Sequence, residues 1–312
     1  MNKPDENAEQ LLRRLEWTVL RRLDGLLQGD YRTLLRGTGM DLADLREYQH
    51  HDDVRHIDWN VTARLQLPHV RVFTEDREMS AWFLLDLSPS MDFGSGEQRK
   101  RQLSSQFVAV LARLLTRHGN RVGAMLYGAG VDAVIPARGS RHHVLQLLHT
   151  LQIRPDAAQA GPTKLHELLD SAARQVRRRS TVFVVSDFIS ESGWVKPLGM
   201  LAQRHEVVAV RLLDAMELQL PDLGLIPITD VETGEQLLVD TSDKGFRQRF
   251  ARIAAQRESD LRQSLTQAGV DTLELSTDGD LVEALMRFVD LRKRRSRISA
   301  GGTLPAHLKR AA

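Results

Sequence analysis

Residues 82–90 read Trp82-Phe83-Leu84-Leu85-Asp86-Leu87-Ser88-Pro89-Ser90, an apolar run that stops at an aspartate and continues as a polar loop. A short apolar run bounded in this way predicts a buried strand. A helix is predicted next, because apolar residues recur at three- and four-residue steps from Leu103 to Leu114. A buried strand followed by an amphipathic helix is the repeating unit of an α/β fold.

The same alternation continues along most of the chain. Strands are predicted over 121–127, 131–135, 181–185, 206–212 and 270–275, and helices over 144–151, 165–176, 194–203, 246–265 and 281–291. Gly269 is expected to end the fourth of these helices. Strands separated by helices require crossover connections, which build a mainly parallel sheet. We therefore predict an α/β fold in which a Rossmann-like, mainly parallel sheet carries helices on both faces.

Four segments are expected along the chain. The first is an amphipathic helix, because leucine and valine recur on one face between residues 12 and 26. The small β-rich segment that comes second is expected to pack with a hairpin inserted in the α/β domain. The expected segments are residues 1–30, the helix; 31–78, the β-rich segment; 79–291, the α/β domain with the hairpin at 224–240; and 292–312, a basic tail expected to be disordered.

Composition excludes several classes of protein. The 312 residues include no cysteine, which excludes disulfides and Cys-ligated metal sites. The 43 basic and 41 acidic residues give a net charge of +2, which does not suggest a nucleic-acid-binding protein. The polar, acidic start does not resemble a secretion signal, and no apolar run approaches the roughly 20 residues of a membrane helix. A cytoplasmic location is therefore expected.

The basic tail allows two interpretations. Residues 292–312 hold seven basic residues and no acidic one. Such a run is either a solvated helix end that complements the helix dipole, or a contact for nucleic acid or an acidic protein. The first interpretation is favoured, because proteins that bind single-stranded nucleic acid usually add aromatic rings that stack on the bases.

Side-chain oxygens are concentrated where the predicted strands end. Asp86, Ser88 and Ser90 follow the first strand, Asp187 follows the strand over 181–185, and Thr163 immediately precedes a helix. Ligands of parallel α/β sheets bind beyond the carboxyl ends of the strands. Carboxylate and hydroxyl oxygens suit a hard cation, so the sequence predicts a site for Mg²⁺ or Mn²⁺. The alternative is that the serines only cap a helix and Asp187 only makes a turn.

These residues resemble two known sequence signatures. The residues Asp86-x-Ser88-x-Ser90, a Gly-Pro-Thr-Lys-Leu string around Thr163, and Ser-Asp ending at Asp187 resemble the metal-ion-dependent adhesion site of von Willebrand factor type A domains. Residues 46–59, which read Arg-Glu-Tyr-Gln-His-His-Asp-Asp-Val-Arg-His-Ile-Asp-Trp, are similar to the signature of the bacterial family called domain of unknown function fifty-eight. The resemblance covers roughly residues 31–291.

The resemblance implies a fold, a site and a partner. The fold would be a von Willebrand factor type A-like domain with a divalent cation at the carboxyl edge of its sheet. The partner would be a MoxR-type AAA+ ATPase, for which such proteins look like accessory or adaptor subunits. By position, the metal ligands, direct or through water, would be Asp86, Ser88, Ser90, Thr163 and Asp187.

The chain departs from the family patterns at two places. Phe188 stands where type A domains usually have glycine. His50 and His51 stand where the other signature usually has Pro-Gly, so a turn that suits glycine is occupied by histidine.

The predicted site suits binding better than catalysis. Two carboxylates neutralise one divalent cation, and an open position on that cation could accept a carboxylate of a partner protein. No general base or activated nucleophile is evident, so a protein-interaction module and not an enzyme is predicted. The alternative is a metal-dependent hydrolase acting on phosphoesters, which also places an aspartate at a strand end. Ser88 stands where phosphotransferases with an aspartate nucleophile generally have a second aspartate.

A second cluster of potential metal ligands precedes the α/β domain. Histidines and aspartates in this pattern could bind a transition metal. We favour a charged surface loop, because neighbouring arginines would pair with the aspartates. The residues of this cluster are His50, His51, Asp52, Asp53, His56 and Asp58.

Overall fold

The computed structural model describes residues 4–20, 23, 44–48, 57, 59–72, 80–153, 162–229 and 236–299. The strands are β1 Asp44–Glu47, β2 His69–Val72, β3 Ser80–Asp86, β4 Arg121–Tyr127, β5 Val131–Arg138, β6 Thr181–Ser186, β7 Glu206–Leu213, β8 Leu225–Thr229, β9 Gln236–Asp240 and β10 Asp271–Ser276. The helices are α1 Pro4–Leu15, α2 Trp59–Leu65, α3 Lys100–Arg117, α4 Arg141–Ile153, α5 Leu165–Gln175, α6 Val195–Arg204, α7 Ala215–Leu218, α8 Lys244–Ala268 and α9 Leu281–Ser299.

A six-stranded sheet organises the domain. Its strand order is β10-β7-β6-β3-β4-β5, and all neighbours pair in parallel except β4 and β5, which are antiparallel. Counted along the chain, this is the doubly wound order in which the first strand lies at the centre. The order reverses between β3 and β6, which creates a crevice beyond their carboxyl ends. The predicted α/β fold with a mainly parallel sheet is confirmed.

The helices cover both faces of this sheet. Successive strand residues point to opposite faces, so Phe83 and Leu85 enter one core while Leu84 enters the other. The first core also receives apolar residues of α1, α3, α4 and α9, and the second receives those of α5, α6 and α8. In the first core the rings of Phe83 and Phe183 stack at 5.2 Å, and the ring of Phe107 meets both edge-on.

The amphipathic N-terminal segment belongs to the first core. After α1, residues Glu16–Leu20 continue as a π-helical turn. Leu12 and Leu15 are buried in the same cluster as apolar residues of α3 and α4. The predicted apolar stripe therefore packs on the helices that cover the sheet. In the described part of the chain, no helix has the length and apolar composition needed to cross a membrane.

Two small antiparallel sheets lie outside the main sheet. Strands β1 and β2 form one, and β8 and β9 form the other, in agreement with the predicted hairpin. The turn of that hairpin, at 230–235, lies outside the described residues. The segment between β1 and β2 contains the short helix α2. The packing of the two small sheets against each other stays a prediction.

The disorder expected for residues 292–312 is wrong for 292–299. Helix α9 continues through Ser299, and Arg292 is buried. Its guanidinium pairs with Glu206, and its Nε lies 2.8 Å from Asp271. Both carboxylates lie at the amino ends of their strands, so ion pairs at that edge of the sheet hold the extra helical turns. Residues 300–312 lie outside the described part.

Candidate functional site

Two aspartates occupy the crevice where the strand order reverses. Asp86 is the last residue of β3, and Asp187 follows β6 directly. The two strands are hydrogen-bonded neighbours, and their carboxyl ends lie at the same edge. Both aspartates are buried, with 0% and 4% of their surface exposed. Open α/β sheets bind their ligands at this position.

The first polar loop is folded around the carboxylate of Asp86. The backbone N–H of Ser88 donates to its Oδ1 at 2.9 Å, and the Ser186 hydroxyl donates to its Oδ2 at 2.6 Å. A turn of 3₁₀ helix over Pro89–Asp92 reverses the chain, and the hydroxyls of Ser88 and Ser90 lie 3.2 Å apart. The three predicted ligands of this loop are therefore brought together, and all are buried.

Thr163 is tied to the loop that carries Asp187. Its carbonyl oxygen accepts hydrogen bonds of 2.8 Å from the Ser190 hydroxyl and from the Glu191 N–H. The N–H of the next residue, Lys164, donates to the Tyr127 hydroxyl at the end of β4. Thr163 is buried, yet its own hydroxyl has no hydrogen-bond partner in the described structure. Because it has no partner, this oxygen is available to a ligand. A ligand that bonded to it would remove the cost of an unsatisfied buried hydroxyl, about 1–3 kcal/mol.

The Asp187 carboxylate already has a cationic partner. Its Oδ1 accepts the N–H of Ile189 at 3.0 Å, and its Oδ2 lies 2.6 Å from Lys100 Nζ. The same ammonium lies 2.7 Å from Oε1 of Glu217, and the Lys100 side chain is fully buried. Sequence reasoning missed Lys100 and Glu217. No local signal marks Lys100, because it stands between Arg99 and Arg101 in a run typical of solvated charge.

Asp214 holds the Lys100–Glu217 contact in place. It is buried and accepts the N–H and hydroxyl of Ser95, in the loop before α3, at 2.9 and 2.6 Å. Its carboxylate also caps α7, the helix that carries Glu217, and its N–H donates to Glu217 Oε2 at 3.0 Å. Burial works against its charge, but these hydrogen bonds prevail and hold the pKa of Asp214 below its ordinary value.

Burial makes the Asp86 carboxylate a weak acid. Loss of solvent, reinforced by the nearby charge of Asp187, raises the pKa of Asp86 to about 6 despite the hydrogen bonds from Ser186 and Ser88. Among the described residues, no basic side chain forms an ion pair with Asp86. Burial alone would lower the pKa of Lys100, but Asp187 and Glu217 outweigh it and raise that pKa, so the ammonium stays charged.

The donor set fits a hard divalent cation. Each carboxylate oxygen of Asp86 and Asp187 has two lone pairs, and the hydrogen bonds above use one. The serine and threonine hydroxyls add neutral oxygens of the kind that Mg²⁺ and Mn²⁺ accept. In the described ranges there is no metal-binding cluster of three or more His, Cys, Asp or Glu residues, so such a site depends on the hydroxyls. The ligand roles stay a prediction, as does the cluster of His50, His51, Asp52, Asp53, His56 and Asp58, all of which lie outside the described residues.

Phe188 occupies a backbone conformation that favours glycine. Its φ is +60°, in the left-handed region, which costs an L-residue about 1–2 kcal/mol. The ring compensates by packing on Trp194 at 5.3 Å between centroids, and the N–H donates to the Ser186 hydroxyl at 2.9 Å. A residue other than glycine is therefore accommodated in this turn because its ring packs on Trp194.

An opening lies beside Asp187. A cavity of about 570 Å³ is lined on one side by Asp187, Trp194 and Glu217, and on the other by residues of α8. Two apolar side chains, Phe93 and Ile189, are 38% and 46% exposed, and each follows one of the aspartate-bearing loops. The buried polar cluster is thus bordered by exposed apolar surface.

The fold and the site together define a doubly wound α/β protein with an acid-and-hydroxyl cluster at its switch point. Residues 44–260 match the family described as protein of unknown function DUF58, and the chain belongs to this family. The uncharacterized protein Rv1480 of Mycobacterium tuberculosis (strain ATCC 25618 / H37Rv) is 37% identical over 290 residues, which cover 93% of this chain and 91% of the relative.

Solved structures with a similar fold are distant in sequence. The conserved hypothetical protein BatB from Bacteroides thetaiotaomicron is 13% identical, with a TM-score of 0.42 over 69% of this chain and 99% of that chain. A von Willebrand factor type A protein from Catenulispora acidiphila is 11% identical, with a TM-score of 0.33 over 47% of this chain and 35% of that one.

Proposed function

We propose that this protein is a divalent-cation-dependent protein-interaction module. A Mg²⁺ or Mn²⁺ ion bound at the carboxyl edge of the sheet would supply the positive charge that attracts an aspartate or glutamate of a partner protein. The residues that would hold the ion are Asp86, Ser88, Ser90, Thr163 and Asp187.

The observation that carries the proposal is the buried, unpaired carboxylate of Asp86. A buried charge is normally neutralised by an ion pair, and Asp86 receives only hydrogen bonds from Ser88 and Ser186 within the described structure. A cation in the crevice would remove this imbalance. The unpartnered hydroxyl of Thr163, on the loop tied to Ser190 and Glu191, supports the same conclusion.

The chain's own residues would keep the site in one geometry. Ser186 holds Asp86 through one oxygen, and Ser88 holds it through the other. The Ile189 N–H fixes Asp187 in the same way. These contacts are made by the chain's own groups, so the side chains need little ordering when a cation binds.

The surroundings favour a protein as the partner. Exposed Phe93 and Ile189 would contribute apolar contacts around a central carboxylate contact, as in interfaces with a buried core. The partner that we propose to test first is a MoxR-type AAA+ ATPase, an association that the sequence resemblance implies.

The test is recovery of a MoxR-type ATPase from the same organism on the immobilised full-length protein. We expect recovery in Mn²⁺, loss in chelator, and restoration when Mn²⁺ is added back. Asp86→Ala should abolish recovery in Mn²⁺, whereas Asp170→Ala, which removes an exposed carboxylate on α5, should leave it unchanged. Equal recovery with and without chelator would refute cation-dependent binding.

One observation favours the alternative function, a metal-dependent hydrolase. A carboxyl with a pKa of about 6, as in Asp86, is suited to general acid–base catalysis near neutral pH. Turnover of a generic phosphoester by the same preparations separates the two functions. Activity that requires Mn²⁺ and disappears in Asp86→Ala, but persists in Asp170→Ala, would favour the hydrolase.

A further inference from the structure

Lys100 and Glu217 form an ion pair beside the proposed cation site. The Lys100 ammonium bridges Asp187 Oδ2 at 2.6 Å and Glu217 Oε1 at 2.7 Å. The Lys100 side chain is fully buried, and that of Glu217 is 24% exposed. The Lys100 ammonium contacts a proposed metal ligand, so its positive charge would repel a cation bound to that ligand.

Lys100 and Glu217 together leave the net charge of the site unchanged. Asp86 and Asp187 carry −2, which one divalent cation neutralises. Lys100 adds +1, and this would leave the site with an excess positive charge once the cation is bound. Glu217 adds −1 and restores the balance at −2, so the pair as a whole is neutral.

We propose that the Lys100–Glu217 pair sets the cation affinity of this site, with Lys100 competing for Asp187 and Glu217 drawing the ammonium away from it. The inference rests on the proposed function, because it concerns the same cation. Lys100 remains an ammonium throughout, and only the share of its hydrogen bonding between Asp187 and Glu217 changes when the cation binds. Both residues act on the cation through Asp187, so they are positioning residues.

The surrounding contacts make this exchange feasible. Asp187 does not need Lys100 for its orientation, because the Ile189 N–H holds its other oxygen at 3.0 Å. Glu217 stays in reach of the ammonium, because the Asp214 carboxylate caps its helix and the Asp214 backbone N–H donates to its second oxygen. Removal of Lys100 therefore changes mainly the charge beside the site and leaves the ligand in place.

The experiment is calorimetric titration of the full-length protein with MnCl₂, in four forms. Lys100→Met removes the ammonium and keeps an unbranched side chain that is one atom shorter, and Glu217→Gln removes the charge that attracts the ammonium. Because outer contacts of metal ligands change affinity by about 10–100-fold, we expect Mn²⁺ to bind at least tenfold more tightly to Lys100→Met and about tenfold more weakly to Glu217→Gln. The Lys100→Met/Glu217→Gln double variant keeps the net charge and should bind within about threefold of the unmodified protein.

A matched control separates this effect from general destabilisation. Arg292→Met removes another buried cation, at the opposite edge of the sheet, where it pairs with Glu206 and Asp271. Its Mn²⁺ affinity should equal that of the unmodified protein, whatever its stability. If Lys100→Met does not fold, Glu217→Gln still tests the proposal, because its side chain is partly exposed and its predicted effect has the opposite sign.

The outcomes distinguish the inference from the function on which it rests. Mn²⁺ binding by the unmodified protein, with unchanged or weaker affinity in Lys100→Met, would overturn the inference and leave the proposed function standing. Unchanged or tighter binding in Glu217→Gln would overturn it as well. Absence of Mn²⁺ binding in all four forms would overturn the proposed function itself.

Discussion

Replacement of Asp86 by asparagine should stabilise the cation-free protein at neutral pH. Removal of a buried, well-placed polar side chain usually destabilises a protein, so the expected direction is unusual. It follows from the raised pKa of Asp86, which means that the folded protein holds the proton more tightly than the unfolded chain does. The folded state is therefore penalised whenever this carboxyl must ionise.

The magnitude follows from the same shift. Burial and the charge of Asp187 raise the pKa of Asp86 from its ordinary value of 3.8 to about 6. The penalty is small at pH 4, grows between pH 4 and pH 6, and reaches about 3 kcal/mol at neutral pH. Asparagine keeps an oxygen for the Ser88 N–H but no longer accepts from the Ser186 hydroxyl, a loss of about 1 kcal/mol. The net gain in the free energy of unfolding is about 2 kcal/mol.

Urea unfolding in chelator at pH 4.5 and pH 7.5 measures this quantity. At pH 7.5 the free energy of unfolding of the variant should be about 2 kcal/mol higher than that of the unmodified protein, and this difference should largely disappear at pH 4.5. Addition of Mn²⁺ at pH 7.5 should stabilise the unmodified protein and leave the variant unchanged, because only a ligand that binds the folded state stabilises it. A variant that is less stable in chelator at pH 7.5, or a difference that does not change with pH, would refute the reasoning.

Three further substitutions test separate features. Thr163→Val should raise the free energy of unfolding of the cation-free protein by about 1–3 kcal/mol, because it removes a buried hydroxyl that has no partner. It should also lower Mn²⁺ affinity about tenfold in calorimetry, whereas Thr163→Ser keeps the hydroxyl and the affinity. Phe188→Gly should destabilise the fold by about 2 kcal/mol in urea, since loss of the ring's packing on Trp194 outweighs relief of its positive φ. Arg292→Met should lower the free energy of unfolding by about 3–5 kcal/mol, because the Glu206 side chain, only 12% exposed, would lose its cation.

The sheet was predictable because its signals are local. The apolar run that ends at Asp86 became β3, and the helix predicted to stop at Gly269 does so with that residue at a φ of +70°. The spacing of apolar residues and the glycines that end helices are local features, so they can be recognised in a single sequence. The same holds for Asp187, whose position after a buried strand placed it beside Asp86.

The ionic contacts were not predictable because they join distant parts of the chain. Lys100 lies between two arginines at the start of α3, a context typical of solvated charge, and its partner Glu217 lies on a helix only four residues long. Arg292 was assigned to a basic tail for the same reason, although it pairs with carboxylates that precede it by 21 and 86 residues. Burial of a charged residue is decided by tertiary packing, which short-range patterns do not encode.

The polar cluster is costly to a protein that needs only a stable fold. Asp86 is a buried carboxylate without a cationic partner, and Thr163 places a hydroxyl where nothing bonds to it. Apolar side chains of similar size in these positions would remove both penalties, since buried polar groups stabilise only when they are satisfied. Asp86 lies at the crevice that the doubly wound order creates, and Thr163 is hydrogen-bonded through its carbonyl to the loop that follows Asp187. Buried polar groups that lower the stability of the fold are typical of a functional site. A cation bound beyond the carboxyl ends of the strands would account for both Asp86 and Thr163.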